Sequence, residues 1–169
     1  MSQSLERITR LAQRRQEMEI VGFPIACGGF GSRGDVPSSE LEKPGWALIP
    51  QWIGDPDGLF AARVFGNSMC PRIRHGDYVI FRYGVPAFPE GKVLVVVEFS
   101  NGEFRFTLKK YHTEGPRVWL LPLNPDHQPL LLSGDGDYRI RGWFVAAVPD
   151  LVRVENVAFP FLDEGWENY

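Results

Sequence analysis

A chain of 169 residues that is 44% hydrophobic and 13% aromatic can bury a sizeable core, and its length fits one domain with an appendage. A formal net charge of -3 excludes a protein that binds nucleic acid over its whole surface and leaves room only for a local basic patch. Cys27 and Cys70 form no CxxC pair, and His75, His112 and His127 lack ligand spacing, so neither a metal site nor a disulfide framework is expected.

The first helix signal covers residues 3–19. Leu5, Ile8 and Ala12, with Leu11 beside them, make a narrow apolar stripe behind a Ser4 cap. Arg7, Arg10, Arg14 and Arg15 could touch phosphate, but with Glu6, Glu17 and Glu19 beside them a solvated helix face is the better reading. One helix is too little for a helix-turn-helix, so direct sequence-specific DNA binding is not expected. Charges recur every few residues, so neither a signal peptide nor a membrane anchor is expected, and the expected setting is the cytoplasm.

Residues 20–45 have the glycine and proline content of a linker, yet open on an apolar run from Ile20 to Cys27. Such a run can add a strand to the domain that follows or lie in one of its grooves. From about residue 60 the chain reads as β, with strands expected at 61–65, 77–83, 92–99, 103–111, 117–123, 129–132 and 138–148. Turn formers punctuate them, among them the Asn101-Gly102 hairpin pair. Without βαβ alternation, a doubly wound nucleotide-binding fold is excluded. The organisation expected is a helical arm at 1–19, a linker at 20–45, a β domain at 46–148 and an acidic, aromatic tail at 149–169.

The stretch FGNSMCPRIRHGD at 65–77 places Ser68 at the start of a rigid turn between two strands. Gly66 permits a tight turn, and Pro71 prevents an immediate helix. A nucleophilic serine needs a proton acceptor. The G-x-S-x-G elbow fails here, because Gly66-Asn67-Ser68-Met69-Cys70 lacks the final glycine. His75 reads equally as a turn residue. The other acceptor is a lysine whose basicity is lowered by burial. Two lysines lie in the strand at 103–111. Simple alternation groups Phe104, Phe106, Leu108 and Lys110 on one face and Arg105, Thr107 and Lys109 on the other, which favours Lys110 as the buried one.

Phe65-Gly66-Asn67-Ser68-Met69-Cys70-Pro71 followed by Gly76-Asp77 resembles the G-x-S-M-x-P…G-D signature of the LexA/UmuD-type serine peptidases, which include self-cleaving repressors and the UmuD mutagenesis protein. Thr107-Leu108-Lys109 is similar to the family's Thr-x-Lys strand, Leu121-Pro122-Leu123-Asn124 with Gln128-Pro129-Leu130 to its next hairpin, and residues 140–145 to its closing strand. The resemblance spans about residues 60–148. It implies a mainly antiparallel β fold of the signal-peptidase type, with an N-terminal helix and an extended cleavage-site arm. Ser68 would be the nucleophile, Lys109 rather than Lys110 the general base, and the backbone amides of Asn67 and Ser68 the oxyanion donors. Met69 and Pro71 would lock the turn, and Asp77 would stabilise it.

The same family cuts its own chain between a small residue and a glycine, and Ile25-Ala26-Cys27-Gly28 is similar to that site. Cutting between Cys27 and Gly28 would release residues 1–27. The resemblance further implies a homodimer without cofactor, stimulated by a RecA-DNA filament and serving the damage response or mutagenic repair beside a Y-family polymerase or helicase. The absence of a DNA-binding domain ahead of Cys27 favours the short-arm, UmuD-like arrangement over a repressor. His127 stands where the family usually carries an aromatic residue. Two other readings are a non-proteolytic docking or dimerisation module built on the same fold, and a peptidase acting in trans.

Overall fold

The computed structural model describes residues 16–22, 25–27, 43–85, 94–99, 105–132 and 138–154. Ten strands are described: β1 (Glu17–Ile20), β2 (Ile25–Ala26), β3 (Gly45–Leu48), β4 (Leu59–Phe65), β5 (Tyr78–Tyr83), β6 (Leu94–Phe99), β7 (Arg105–Glu114), β8 (Arg117–Leu121), β9 (Leu130–Leu132) and β10 (Tyr138–Val148). The strands expected from β4 onward all form. Among the described residues no helix is long and apolar enough to cross a membrane.

Nine strands follow one path, β3-β1-β4-β5-β10-β6-β7-β8-β9, and β2 lies off it, pairing with both β4 and β7. The pairing of β4 with β5, β5 with β10, β10 with β6 and β6 with β7 is antiparallel, whereas β2 runs parallel to both of its neighbours. A strand that pairs with two members so far apart on the path closes the sheet upon itself. The ring runs β4-β5-β10-β6-β7-β2, and the short β2 is its closing stave. Two register shifts in β10, between Ile140 and Gly142 and between Phe144 and Ala146, supply the local bend that such closure needs.

Alternation along the central strands explains why they read so strongly in sequence. Phe60, Ala62 and Val64 of β4 join Val79 and Phe81 of β5 in one cluster with Ile25, Cys27, Met69, Ile73 and Leu108. The intervening Leu59, Ala61 and Ile80 join Met18, Ile20, Ala47 and Ala146 on the other face. Both faces of β4 and β5 are therefore covered, and residues 59–62 are all buried. Full burial of a side chain such as Phe60 or Phe81 contributes about 1.5–3 kcal/mol, so these two strands are the stable platform from which the Ser68 turn projects.

The structure corrects the reading of the amino-terminal part in two places. Glu17 to Glu19, expected in the helix, are extended in β1, pairing antiparallel with β3 and parallel with β4. Met18 and Ile20 are buried there while Glu17 and Glu19 are half-buried, a period-two pattern that the helical stripe upstream concealed. The rest of the expected helix, residues 3–15, lies outside the described residues. Second, the boundary drawn at 45/46 falls inside β3, while the apolar run from Ile20 to Cys27 adds the strand β2, as its composition allowed. The start of the tail is also tied down. Leu48 N–H donates to Val152 O, Val154 N–H donates to Trp46 O, and Arg153 bridges Ala47, whereas residues 155–169 lie outside the description.

Gly142 shows how tightly the ring is packed. A Cβ there would stand 2.8 Å from the Arg82 carbonyl oxygen and 2.9 Å from the Phe60 ring. Backbone cannot yield as a flexible side chain can, so Gly142→Ala is expected to destabilise the domain by about 1–3 kcal/mol. Urea denaturation in a Ser68→Ala background measures it.

Candidate active site

Ser68 sits just beyond the end of β4, in a turn whose geometry follows from its residues. Gly66 has φ of 95°, a region that a Cβ disfavours, and its N–H donates to His75 Nδ1 at 3.0 Å. The histidine seven residues after the serine is thus a brace for the turn. Asp77 has a bracing role too, accepting from the Arg74 N–H at 2.8 Å through Oδ2. Met69 and Ile73 are wholly buried and pin the turn to the core. Ser68 itself is buried, as are Thr107 and Lys109.

Lys109 reaches Ser68 from β7. Its Nζ lies 2.8 Å from Ser68 Oγ, 3.2 Å from Thr107 Oγ1 and 3.1 Å from the Leu108 carbonyl oxygen. Lys109 is 6% exposed and Lys110 is half-buried, which overturns the preference that alternation gave to Lys110. The alternation itself stands, because β7 pairs with β6 without a register shift from Arg105 to Lys110. The error lay in assuming one covered face. Leu108 points into the core while Thr107 and Lys109, on the opposite side, are covered by the Ser68 turn and β2. Burial holds the Lys109 amine below its ordinary value of 10.5, with the nearby Cys27 sulfur opposing that shift.

The arm occupies the gap between these two walls. Ile25 and Ala26 align with Val64 and Phe65 of β4, and Ala26 with Thr107 of β7. Thr107 Oγ1 donates to the Ala26 carbonyl at 3.0 Å, and the Cys27 N–H donates to the Phe65 carbonyl. The Cys27 carbonyl oxygen accepts the Ser68 backbone N–H at 2.6 Å. Among the residues singled out from sequence, Ser68, Lys109 and Cys27 are therefore brought together, while Gly28 lies outside the described residues. The Cys27 thiol is fully buried, and that burial pushes its pKa up to about 12 despite the attraction of Lys109, so it stays neutral at ordinary pH. Of the two amides expected as oxyanion donors, that of Ser68 engages the Cys27 carbonyl. Asn67 enters through its carbonyl, which accepts from the Cys70 N–H at 3.1 Å and from Asn124 Nδ2 at 3.0 Å.

Sequence reasoning missed three contributors. Thr107 was read only as part of a motif, and its hydroxyl ties the arm to β7. Asn124 and His127, from the β8–β9 connection, touch the turn that carries Ser68. Thr107 and Asn124 stand inside segments that resemble the family, and His127 stands where an aromatic residue is usual. Among the described residues no group of three or more His, Cys, Asp or Glu side chains is placed to hold a metal ion.

The Lys109 shift has a consequence for stability. Between its lowered native value and 10.5 the unfolded chain binds more protons at this site than the native chain, so stability rises with pH across that window. The desolvation cost is full below the native value and vanishes towards 10.5. Lys109→Met is therefore expected to be more stable than its parent at pH 7, by a margin that shrinks as pH approaches 10.5. Urea denaturation of both chains in the Ser68→Ala background at several pH values reads it.

Comparison with known proteins bears on the family. A family model described as Peptidase S24-like matches residues 28–145. The chain is 29% identical to a LexA repressor of Syntrophotalea carbinolica over 75% of its own length and 60% of the repressor's. It is 32% identical to the LexA repressor of Streptomyces clavuligerus over 79% of its length and 54% of that protein's, and 32% identical to that of Streptomyces coelicolor over 79% and 56%. The chain thus spans about three-fifths or less of the length of these relatives. With the Ser-Met and Thr-x-Lys motifs inside the matched span and a mainly β fold around them, this chain belongs to the Peptidase S24-like family, of the LexA/UmuD type.

Proposed function

We propose that this protein is a serine peptidase that cleaves its own chain between Cys27 and Gly28, with Ser68 as nucleophile and Lys109 as general base. The observation that carries the reading is a coincidence of two contacts at one serine. Ser68 Oγ lies 2.8 Å from an amine of lowered basicity, and the Ser68 N–H holds the Cys27 carbonyl oxygen at 2.6 Å.

Three neighbours of Lys109 Nζ can be met by a neutral amine. Its two N–H groups donate to Thr107 Oγ1 and the Leu108 carbonyl, which leaves the lone pair for the Ser68 hydroxyl proton. As Oγ bonds to the Cys27 carbonyl carbon, its proton passes to Nζ, and the charge that develops on the carbonyl oxygen is held by the Ser68 amide. Collapse breaks the bond to Gly28, whose nitrogen takes the proton from Nζ. Water then attacks the Cys27–Ser68 ester and gives up a proton to Nζ, which returns it to Ser68 Oγ as the ester bond breaks, and the Cys27 acid released loses its remaining proton to solvent. A small neutral side chain at Cys27 fits a site whose walls are Met69, Ile73 and Leu108 in the same cluster.

The wider setting follows from the relatives, which are LexA repressors. We place this protein in the bacterial damage response or mutagenic repair, as a cytoplasmic homodimer whose cleavage is stimulated by a RecA-DNA filament, serving a Y-family polymerase or helicase.

The test is mass spectrometry of the purified chain held at rising pH, with and without an activated RecA filament. A product starting at Gly28 is expected, with a rate that climbs with pH as Lys109 loses its proton. Ser68→Ala and Lys109→Ala each lower the rate by about 10³-fold or more, as loss of a nucleophile or its base does. Lys110→Ala leaves it within about threefold of wild type, since that side chain is remote from the chemistry. An intact chain under every condition would refute the reading.

A further inference from the structure

The connection between β8 and β9 grips the peptide units on both sides of Ser68. On the far side, the Ser68 carbonyl accepts from the backbone N–H groups of Leu123 at 2.9 Å and Asn124 at 2.8 Å. On the near side, the Asn67 carbonyl accepts from Asn124 Nδ2 at 3.0 Å. The Asn67 side chain is held as well, with its Oδ1 2.6 Å from His127 Nε2. An amide oxygen can only accept, so Nε2 carries the proton and donates. The loop is itself braced, because Asp126 N–H donates to Asn124 Oδ1 at 3.0 Å and His127 N–H to Asn124 O at 3.2 Å.

These contacts bear on one atom. The Asn67 carbonyl and the Ser68 N–H belong to the same peptide unit, which is planar, with its oxygen and hydrogen pointing opposite ways. Fixing the oxygen end therefore fixes the direction of the N–H that meets the Cys27 carbonyl. A hydrogen bond accepted at the oxygen also polarises the unit and strengthens the donor at its other end. Without Asn124 and His127, the near-side unit keeps the Cys70 N–H, a contact from within the same turn that moves with it.

We propose that Asn124 and His127 are positioning residues for the self-cleavage reaction, orienting the Asn67–Ser68 peptide so that its N–H meets the scissile carbonyl. This inference rests on the peptidase reading above. His127 acts through the Asn67 side chain and Asn124 through the Asn67 carbonyl, and neither touches the reacting atoms.

The experiment uses the full chain. Because cleavage is intramolecular, its rate at the high-pH plateau reports chemistry without a binding step. His127→Phe and Asn124→Ala lower that plateau by about tenfold, less than the ~10²–10³-fold seen when an oxyanion donor is removed outright. The pH of half-maximal rate, which Lys109 sets, does not move. His127→Gln, which keeps an N–H donor, stays within about threefold of wild type. The second measurement is amide hydrogen exchange at Ser68 in a Lys109→Ala chain, where no cleavage intervenes. Adding His127→Phe speeds exchange at Ser68 and leaves Val79 and Ile80 unchanged. Equal plateau rates and equal Ser68 exchange with and without His127→Phe would overturn the inference. So would His127→Gln as slow as His127→Phe, since ring shape and not the donor would then matter. A wild-type chain that never cleaves would remove the peptidase reading, and Ser68 exchange would still decide whether the loop orients the turn.

Discussion

A lysine amine inside an apolar wall is the constraint on which the rest of this structure turns. Lys109 is buried, and desolvation is the largest cause of its lowered basicity. Desolvation falls entirely on the charged form, so the fold favours the neutral amine and gives up stability at neutral pH to do so. The amine is not left unsatisfied there, because Thr107 Oγ1, the Leu108 carbonyl and Ser68 Oγ all lie within hydrogen-bond distance of Nζ. Holding that amine in place requires β7 to be rigid and covered on both faces. The core between β4, β5 and Leu108 supplies one cover, and the arm with the Ser68 turn supplies the other.

The arm therefore has two roles that share one set of contacts. As β2 it closes the ring between β4 and β7, burying Ile25, Ala26 and Cys27. As a peptide it presents the Cys27 carbonyl to the Ser68 amide. Parallel pairing on both sides and the Thr107 hydroxyl on the Ala26 carbonyl restrict its slide along the groove, because a one-residue slip would reverse which side chains face the core. In the proposed self-cleavage an arm bound in this way would be pre-oriented, the entropy of bringing it to Ser68 having been spent in folding.

The Ser68 turn is held from three directions. His75 and Asp77 brace it from its own loop, Met69 and Ile73 anchor it in the core, and the β8–β9 connection holds its carbonyls. Such over-determination suits a site where an amide must point at a developing charge before that charge exists.

How much of this was legible in the sequence depends on the range of the interaction. The strands from β4 to β10 were readable because apolar periodicity and turn residues act locally, and the Ser-Met and Thr-x-Lys motifs marked Ser68 and Lys109 through their resemblance to a family. Glu17 to Glu19 were misread because the alternation of β1 is too short to outweigh a helical stripe beside it. Counting faces along β7 correctly separated Lys109 from Lys110. It could not say that the Lys109 face is covered, because the cover comes from Ala26 and Ser68, far away in sequence. The grip of Asn124 and His127 on Asn67 was invisible for the same reason. Sequence by itself determined which segments from β4 onward are strands and marked Ser68 and Lys109 as candidates. Only the tertiary structure decided which lysine is buried, which carbonyl meets the serine amide and what holds that amide, because burial and hydrogen-bond direction are set by neighbours that the chain brings together only when the ring closes.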